Sequence, residues 1–413
     1  MDLIYYSLDE ALQVPTLVKR LDLSDQGLTE IPARIGALVN LQELNLAKNK
    51  ISNLPQELTS LKRLRKLVVA QNRLMQYPAV VNMVTSLEYL DIRDNKIGEI
   101  SKHIKNLSGL RYFIAGWNNL RSLPVEIGSL TLLAKLDLQY NKLCHLPDEL
   151  AELSLLEELN LDWNALIKLP QGLGQLGALK KLSLSENRFS SIPDCIGKMS
   201  SLRELNLSWN LISKLDGIIG RLPLLMRLDL HSNRIEAIED AFCRCISLKY
   251  LVLRGNRLSN LPAGFDLLEE LSHLDLSENN FGEFPRVLCY LRSLQHLNLR
   301  FNKVKALPGE ILKLEKLKEL FLGGNELSSL PEGIFSMKNL AYLGLTQNQL
   351  REVCIDDPGK CFLKGLYLGG NPIDKPLYGL KSLPHISQLT IASSTPNREQ
   401  ICHDLSSLTV EIH

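Results

Sequence analysis

Leucine recurs along this chain at a fixed period of 23 residues. One repeat reads LQELNLAKNKI, with apolar residues at its first, fourth, sixth and eleventh positions and asparagine at its ninth. The frame returns without insertion from the repeat that starts at Val18 to the repeat that starts at Ile386, which makes seventeen repeats. The fourth position is leucine in all of them except the fifth, where it is Phe113, and the ninth is asparagine from Asn49 to Asn371. Chance does not produce such a register, so a repeat architecture is predicted.

The alternation inside the frame predicts the local structure of each repeat. In the LxL segment two leucines flank a polar residue, which is the period of a strand with one buried face. An asparagine after the strand can donate to carbonyl groups of the neighbouring turn, so stacked asparagines would satisfy buried backbone. The second half reads LPxxIxxL and holds eleven of the eighteen prolines in one column, which favours a short return over a long helix. We therefore expect an α/β solenoid with a curved parallel β-sheet on its concave face and 3₁₀ or extended returns on its convex face.

Both ends of the repeat array carry sequences typical of caps. Near the N-terminus, Ser7-Leu8-Asp9-Glu10 is a capping box that predicts a short amphipathic helix. Near the C-terminus, Thr395-Pro396 predicts a helix over residues 397–405, and a strand is expected after it. The predicted organisation is an N-terminal helical cap at residues 1–17, seventeen repeats at residues 18–394, and a C-terminal helix and strand cap at residues 395–413.

The overall composition excludes several classes of protein. The chain has 47 basic and 46 acidic residues, so there is no excess charge to hold a nucleic acid. No apolar run approaches the roughly 18 residues that a membrane span needs, and the first residues lack the features of a signal peptide. Eight cysteines in 413 residues are too few for a disulfide scaffold. These features favour a monomer in the reducing cytoplasm.

The sequence offers little catalytic or metal-binding chemistry. A GxGxxG pattern at residues 172–177 falls in a predicted return, not after a strand as a dinucleotide site requires. Cys243 and Cys245 are close in sequence, but Cys245 fills a core column. His273 and His296 share an exposed column in adjacent repeats and could bind a metal or titrate together, although exposed positions on a binding face explain them more simply. We predict that the protein is not an enzyme and needs no metal or cofactor.

Aromatic residues are concentrated at exposed positions of the predicted sheet. The eighth position of the frame holds all three tryptophans and one tyrosine, namely Trp117, Tyr140, Trp163 and Trp209, and the third position adds Tyr89 and Tyr112. Aromatic rings at a strand edge can simply pack over their neighbours. Because other repeats place charged or polar residues at the eighth position, we instead predict a partner-binding site. A secondary patch is predicted from Tyr250, Arg254, His273, His296, Arg300, Phe301 and Phe321.

These motifs resemble the leucine-rich repeat proteins of the 23-residue, intracellular Ras-group class, whose consensus is LxxLxLxxNxLxxLPxxIxxL. Residues 5–24 also resemble the N-terminal entry of free-standing bacterial members of this family. The resemblance implies a non-catalytic scaffold or adaptor that binds proteins, small GTPases and phosphatases among them, through its concave face. Two alternatives remain open on the residues: a carbohydrate-binding or small-ligand module that uses the same aromatic face, and a secreted bacterial effector that mimics a host scaffold.

Overall fold

The structure is a computed structural model that describes residues 3–355, 358–377, 383, 385–391, 393, 395–404 and 409–412. The chain forms two compact units, an N-terminal unit at Met1–Asn206 and a C-terminal unit at Leu207–His413. Each is built from 23-residue repeats with a short strand, a turn and a return segment. The predicted leucine-rich-repeat solenoid is therefore confirmed.

The N-terminal unit contains one parallel sheet, in which each repeat strand pairs with the residues 23 positions further along. Its strands are β1 (Ile4–Tyr5), β2 (Arg20–Asp22), β3 (Glu43–Asn45), β4 (Lys66–Val68), β5 (Tyr89–Asp91), β6 (Tyr112–Ile114), β7 (Lys135–Asp137), β8 (Glu158–Asn160), β9 (Lys181–Ser183) and β10 (Glu204–Asn206). The middle residue of each repeat strand is buried, as the alternation predicts.

The C-terminal unit repeats this arrangement and adds a small second sheet. Its strands are β11 (Lys214–Leu215), β12 (Arg227–Asp229), β13 (Ala237–Ile238), β14 (Tyr250–Val252), β15 (His273–Asp275), β16 (His296–Asn298), β17 (Glu319–Phe321), β18 (Tyr342–Gly344), β19 (Gly365–Tyr367), β20 (Gln388–Ile391) and β21 (Thr409–Ile412). β11 pairs with β13 in the return segments. Both returns lack the usual proline, and at that position the Glu239 amide donates to the Leu215 carbonyl at 2.9 Å, a bond that proline could not make.

The return segments, including those that hold β11 and β13, form short 3₁₀ turns on the side opposite the sheet. They span Ala33–Ala37, Gln56–Ser60, Ala79–Met83, Lys102–Asn106, Val125–Ser129, Asp148–Glu152, Gln171–Gln175 and Asp194–Lys198 in the N-terminal unit. In the C-terminal unit they span Ile219–Arg221, Asp240–Arg244, Ala263–Leu267, Arg286–Tyr290, Gly309–Lys313, Ile334–Ser336 and Pro358–Lys360. The GxGxxG pattern lies on one of these turns, so it lacks the strand-to-helix context of a dinucleotide site.

The two ends differ slightly from the sequence expectation. Ser7 caps the helix α1 (Leu8–Ala11) through its hydroxyl, which accepts from the Glu10 amide at 3.4 Å. β1 also precedes this helix and pairs with β2, so the N-terminal segment adds a strand that the capping box did not predict. At the other end, α2 (Arg398–Asp404) and β21 follow the last repeat. The predicted bounds at residues 1, 394, 405 and 413 lie outside the described residues.

A ladder of asparagine side chains connects successive repeats. Asn118 is typical: its Nδ2 donates to the carbonyl groups of Ile92, Ala115 and Gly116 at 3.0 to 3.2 Å. Its Oδ1 accepts from the Ile97 amide at 3.0 Å. One buried side chain thus satisfies backbone groups of two neighbouring repeats, which explains why the ninth position tolerates so little variation along the chain.

The buried cysteines should be unreactive while the protein is folded. Burial raises the pKa of Cys195, Cys243 and Cys289 to about 11 and that of Cys245 to about 12. Since the thiolate is the reactive form, we expect iodoacetamide at mildly alkaline pH to label exposed Cys144 quickly and these four only after unfolding. Peptide mapping by mass spectrometry measures this, and rapid labelling of Cys245 in the native protein would contradict it.

Candidate protein-binding site

The eighth position of the first sixteen repeats has a left-handed backbone, a feature that the sequence pattern did not predict. Thirteen non-glycine residues there, from Asp25 to Gln347, have φ between +52° and +57°. Gly255, Gly324 and Gly370 occupy the same column with φ of +65° to +72°. The glycines in this column were a signal for the conformation. A bulky residue is disfavoured there by roughly 1 kcal/mol or more relative to glycine.

Three aromatic residues of this column form a continuous stack in the N-terminal unit. The ring centroids of Trp117 and Tyr140 are 3.6 Å apart with planes inclined by 14°. Those of Tyr140 and Trp163 are 4.7 Å apart with planes inclined by 10°. We call these three residues the aromatic stack. Because consecutive repeats place them side by side, both faces of the Tyr140 ring are covered by tryptophan.

The aromatic stack combines packing with exposure. Ring contacts of this kind stabilise neighbouring repeats, so the packing explanation holds in part. Yet Trp117 remains 48% exposed and Trp163 remains 45% exposed. Packing alone does not explain why three bulky residues occupy backbone positions that favour glycine or asparagine. A solvent-accessible surface of tryptophan and tyrosine rings is a feature expected of a binding site.

The remaining predicted aromatic of the eighth column belongs to a separate group. Trp209 lies in the C-terminal unit and is 53% exposed. Its ring meets the imidazole of His231 edge to face at 6.0 Å, and His231 Nδ1 lies 2.7 Å from Asp229 Oδ1. The column holds Glu186 between Trp163 and Trp209. The four predicted residues therefore occur as a three-ring stack and a tryptophan–histidine pair.

Tyr89 and Tyr112 lie on the same sheet face as the aromatic stack, in the third column. Their ring centroids are 5.9 Å apart with planes inclined by 37°. Lys66 Nζ lies 5.2 Å from the centre of the Tyr89 ring, within range of a cation–π contact. Burial is the main cause that raises the pKa of the Tyr89 hydroxyl. Tyr112 is 43% exposed and is the more accessible of the two.

Buried carboxylates lie on this face of the N-terminal unit. Burial raises the pKa of Asp91, Asp137 and Asp162, while hydrogen bonds to each carboxylate oppose the shift. Asp137 Oδ1 accepts from the Gln139 amide at 3.1 Å, and Asp162 accepts from the Ser183 hydroxyl at 2.8 Å. Neighbouring donors therefore fix these acidic groups in place on the sheet.

Three residues of the predicted secondary patch, Tyr250, His273 and His296, form a column of stacked side chains in the C-terminal unit. The rings of Tyr250 and His273 are 4.3 Å apart, and those of His273 and His296 are 4.1 Å apart. The guanidinium of Arg227 covers the outer face of Tyr250 at 4.2 Å. At the other end, His296 Nδ1 lies 3.0 Å from Glu319 Oε2. The predicted adjacency of the two histidines is therefore confirmed.

The other members of the secondary patch have contacts within the chain. Arg254 forms two hydrogen bonds with Glu278 Oε1, at 2.7 and 3.1 Å. The guanidinium of Arg300 lies 4.3 Å from the centre of the Phe321 ring. Phe301 stands in the left-handed eighth column, 53% exposed, with its ring over Gly324. A side chain on Gly324 would collide with that ring, so this glycine makes room for an exposed aromatic residue.

The histidine pair predicts a pH dependence of stability. Burial, and then the charge of His296, lower the pKa of His273 below its ordinary value. The unfolded chain, with a histidine pKa of about 6.5, therefore takes up this proton before the native state does. Stability should fall as the pH drops below about 6.5, and less steeply in His273→Gln. Denaturant unfolding at about pH 7.5 and about pH 5.5 measures both slopes, and equal slopes would contradict the assignment.

Within the described ranges, no group of three or more His, Cys, Asp or Glu side chains is arranged to hold a metal ion. No helix in the described part of the chain is long and apolar enough to cross a membrane.

Comparison with known families identifies the repeats. A family model described as a leucine-rich repeat region matches residues 12–99 and 94–217. A second, described as a leucine rich repeat, matches residues 223–281 and 292–350. No curated protein matches the chain.

Solved structures resemble the chain over most of its length. A leucine-rich repeat protein of Leptospira interrogans is 32% identical with a TM-score of 0.86, and the match covers 100% of both chains. The plant peptide hormone receptor RGFR1, in complex with RGF2, is 29% identical with a TM-score of 0.76, over 95% of this chain and 67% of that one. The Arabidopsis receptor kinase HAESA ectodomain, in complex with an IDA peptide hormone ligand, is 30% identical with a TM-score of 0.69, over 95% and 68%. The chain belongs to the leucine-rich repeat family.

Proposed function

We propose that the protein is a non-catalytic scaffold or adaptor that binds a protein partner through the aromatic stack. The observation that carries this proposal is the placement of Trp117, Tyr140 and Trp163 on left-handed backbone with two rings nearly half exposed. The fold does not require aromatic residues there, since Lys48 and Gln71 adopt the same conformation. Tryptophan and tyrosine are the residue types enriched in interface hot spots.

A peptide or an extended protein segment is the kind of partner that this proposal favours. Two of the similar structures are complexes with peptide hormones, which supports such a ligand by analogy of fold. Tyr89, Tyr112 and Trp209 are proposed as further contacts of the partner, and the secondary patch as a second contact area.

The proposal also covers the subclass of leucine-rich repeat protein and the cellular compartment. The consensus of the repeats supports a Ras-group protein whose partners include small GTPases or phosphatases, an extension that rests on resemblance alone. Cytoplasmic location is proposed from the dilute cysteines, several of which fill core positions as thiols. For the carbohydrate alternative, both faces of Tyr140 are already covered, so a sugar could stack only on the outer faces of Trp117 and Trp163.

A capture experiment tests the proposal. The wild type and the double variant Trp117→Asn/Trp163→Asn would each be immobilised, and the retained proteins compared. Asparagine is chosen because it tolerates the left-handed backbone. Gln71→Asn, in the same column and conformation, is the matched control. A partner retained by the wild type and Gln71→Asn but lost from the double variant is expected. Equal retention by all three proteins would refute the role of the aromatic stack.

A further inference from the structure

The aromatic stack is flanked in its own column by a carboxylate on each side. Asp94 precedes Trp117 by one repeat, and Glu186 follows Trp163 by one repeat. Both have the same left-handed backbone as the rings, with φ of +54° and +53°. Asp94 is exposed and Glu186 is half-buried. Neither carboxylate has a hydrogen bond or ion pair with another residue in the described part of the chain.

The surrounding sheet face also carries more acidic than basic residues. The columns of repeats 4 to 8 that point away from the core contain eight acidic and five basic residues, namely Glu88, Asp91, Asp94, Asp137, Glu157, Glu158, Asp162 and Glu186 against Arg93, Arg111, Lys135, Lys180 and Lys181. Asp91 and Asp137 are buried among their neighbours. Four of the five basic residues already form ion pairs, with Asp91, Glu158, Glu157 and Glu204. The carboxylates that remain outside ion pairs therefore outnumber the cations. This imbalance favours a cationic ligand.

We infer that the aromatic stack binds an extended basic segment of a protein, with one arginine at each end of the stack. This inference rests on the proposed function and names the chemistry of the partner. Each outer tryptophan has one ring face that Tyr140 does not cover, and the next residue of the column on that side is a carboxylate. A guanidinium can stack on an aromatic ring and donate to a carboxylate at the same time. An ammonium group is a compact charge without the planar face, so arginine fits better than lysine.

The geometry also fixes the spacing of the two arginines. Asp94 and Glu186 are four repeats apart, which at the usual separation of parallel strands is on the order of 19 Å. An extended chain advances about 3.3 Å per residue, so two arginines about six residues apart span the aromatic stack. The tenth column, beyond the asparagine ladder, carries Lys96, Lys142 and Arg188. A basic peptide is therefore favoured on the sheet face over the neighbouring tenth column, which places it across the strands.

A peptide titration tests the inference on the full chain. The probe is a capped heptapeptide with arginine at both ends and alternating glycine and serine between them. The indole N–H resonances of the three tryptophans report binding by NMR. We expect saturable shifts at Trp117 and Trp163. Asp94→Asn and Glu186→Gln should each weaken binding about fivefold, and added salt should weaken it further. Asp25→Asn, in the same column with the same backbone, is the matched control and should have no effect.

Three outcomes would overturn the inference. The first is the absence of a saturable shift at millimolar peptide. The second is equal binding of a peptide in which neutral citrulline replaces arginine. The third is an equal loss of affinity in Asp25→Asn and Asp94→Asn. The proposed function fails separately. If capture of the partner needs Trp117 and Trp163 but survives Asp94→Asn/Glu186→Gln, the aromatic site stands and the basic ligand is wrong. If capture survives the loss of both tryptophans, the site itself is wrong.

Discussion

Replacing Asn187 with leucine should lower the free energy of unfolding by about 2 to 3 kcal/mol. Its Nδ2 donates to the carbonyl groups of Leu161, Leu184 and Ser185 at 2.9, 3.2 and 3.1 Å. Its Oδ1 accepts from the Leu166 amide at 3.0 Å. The side chain is 7% exposed, so leucine would leave these backbone groups buried with fewer partners or none.

The end of the ladder supplies the control for this prediction. Gln26 stands in the same column of the first repeat, where its Nε2 donates to the Tyr6 carbonyl at 2.7 Å in an exposed position. Water can replace that bond, so Gln26→Ala should cost less than about 0.5 kcal/mol. Equilibrium unfolding in urea measures both variants. Equal effects at the two positions would mean that the asparagine ladder does not stabilise the protein as described.

The sequence predicted those parts of the fold that depend on residue type at a fixed column. Burial of the leucines, the asparagine ladder and the proline-led returns each follow from one chemical property repeated many times. Elements that occur once were harder to predict. β1 spans only two residues, Ile4 and Tyr5, and has no periodicity of its own. The pairing of β11 with β13 arises where two returns lack proline. The missing proline shows that a backbone amide is free to donate, but it does not show which carbonyl accepts.

The candidate site was predicted in composition but not in geometry. Sequence columns placed Trp117, Tyr140 and Trp163 in adjacent repeats, and the rings do stack. The columns could not show that Trp209 turns its ring towards His231 instead, because rotamers are set by local packing. The left-handed backbone was also missed, since most residues of that column are neither glycine nor asparagine. The proposed role of Asp94 and Glu186 as arginine-binding carboxylates could be inferred only from the direction in which the rings stack.

The aromatic stack should supply most of the affinity for the partner. Trp117→Asn and Trp163→Asn are each expected to weaken binding by about 2 kcal/mol or more, which is roughly a thirtyfold rise in Kd. Their unfolding free energies should stay within about 0.5 kcal/mol of the wild type, because relief of left-handed strain offsets the lost ring contact. Gln71→Asn changes the same column without removing a ring and should leave both quantities unchanged.

The most direct test of binding through the aromatic stack is a calorimetric titration of each folded variant with the partner recovered by capture. If the aromatic stack is the binding site, Trp117→Asn and Trp163→Asn will lose most of their affinity and keep wild-type unfolding curves. Two results would contradict it. Unfolding of the tryptophan variants would make the aromatic stack a structural element, and normal binding by them together with loss of binding in Phe301→Ala would place the site in the secondary patch.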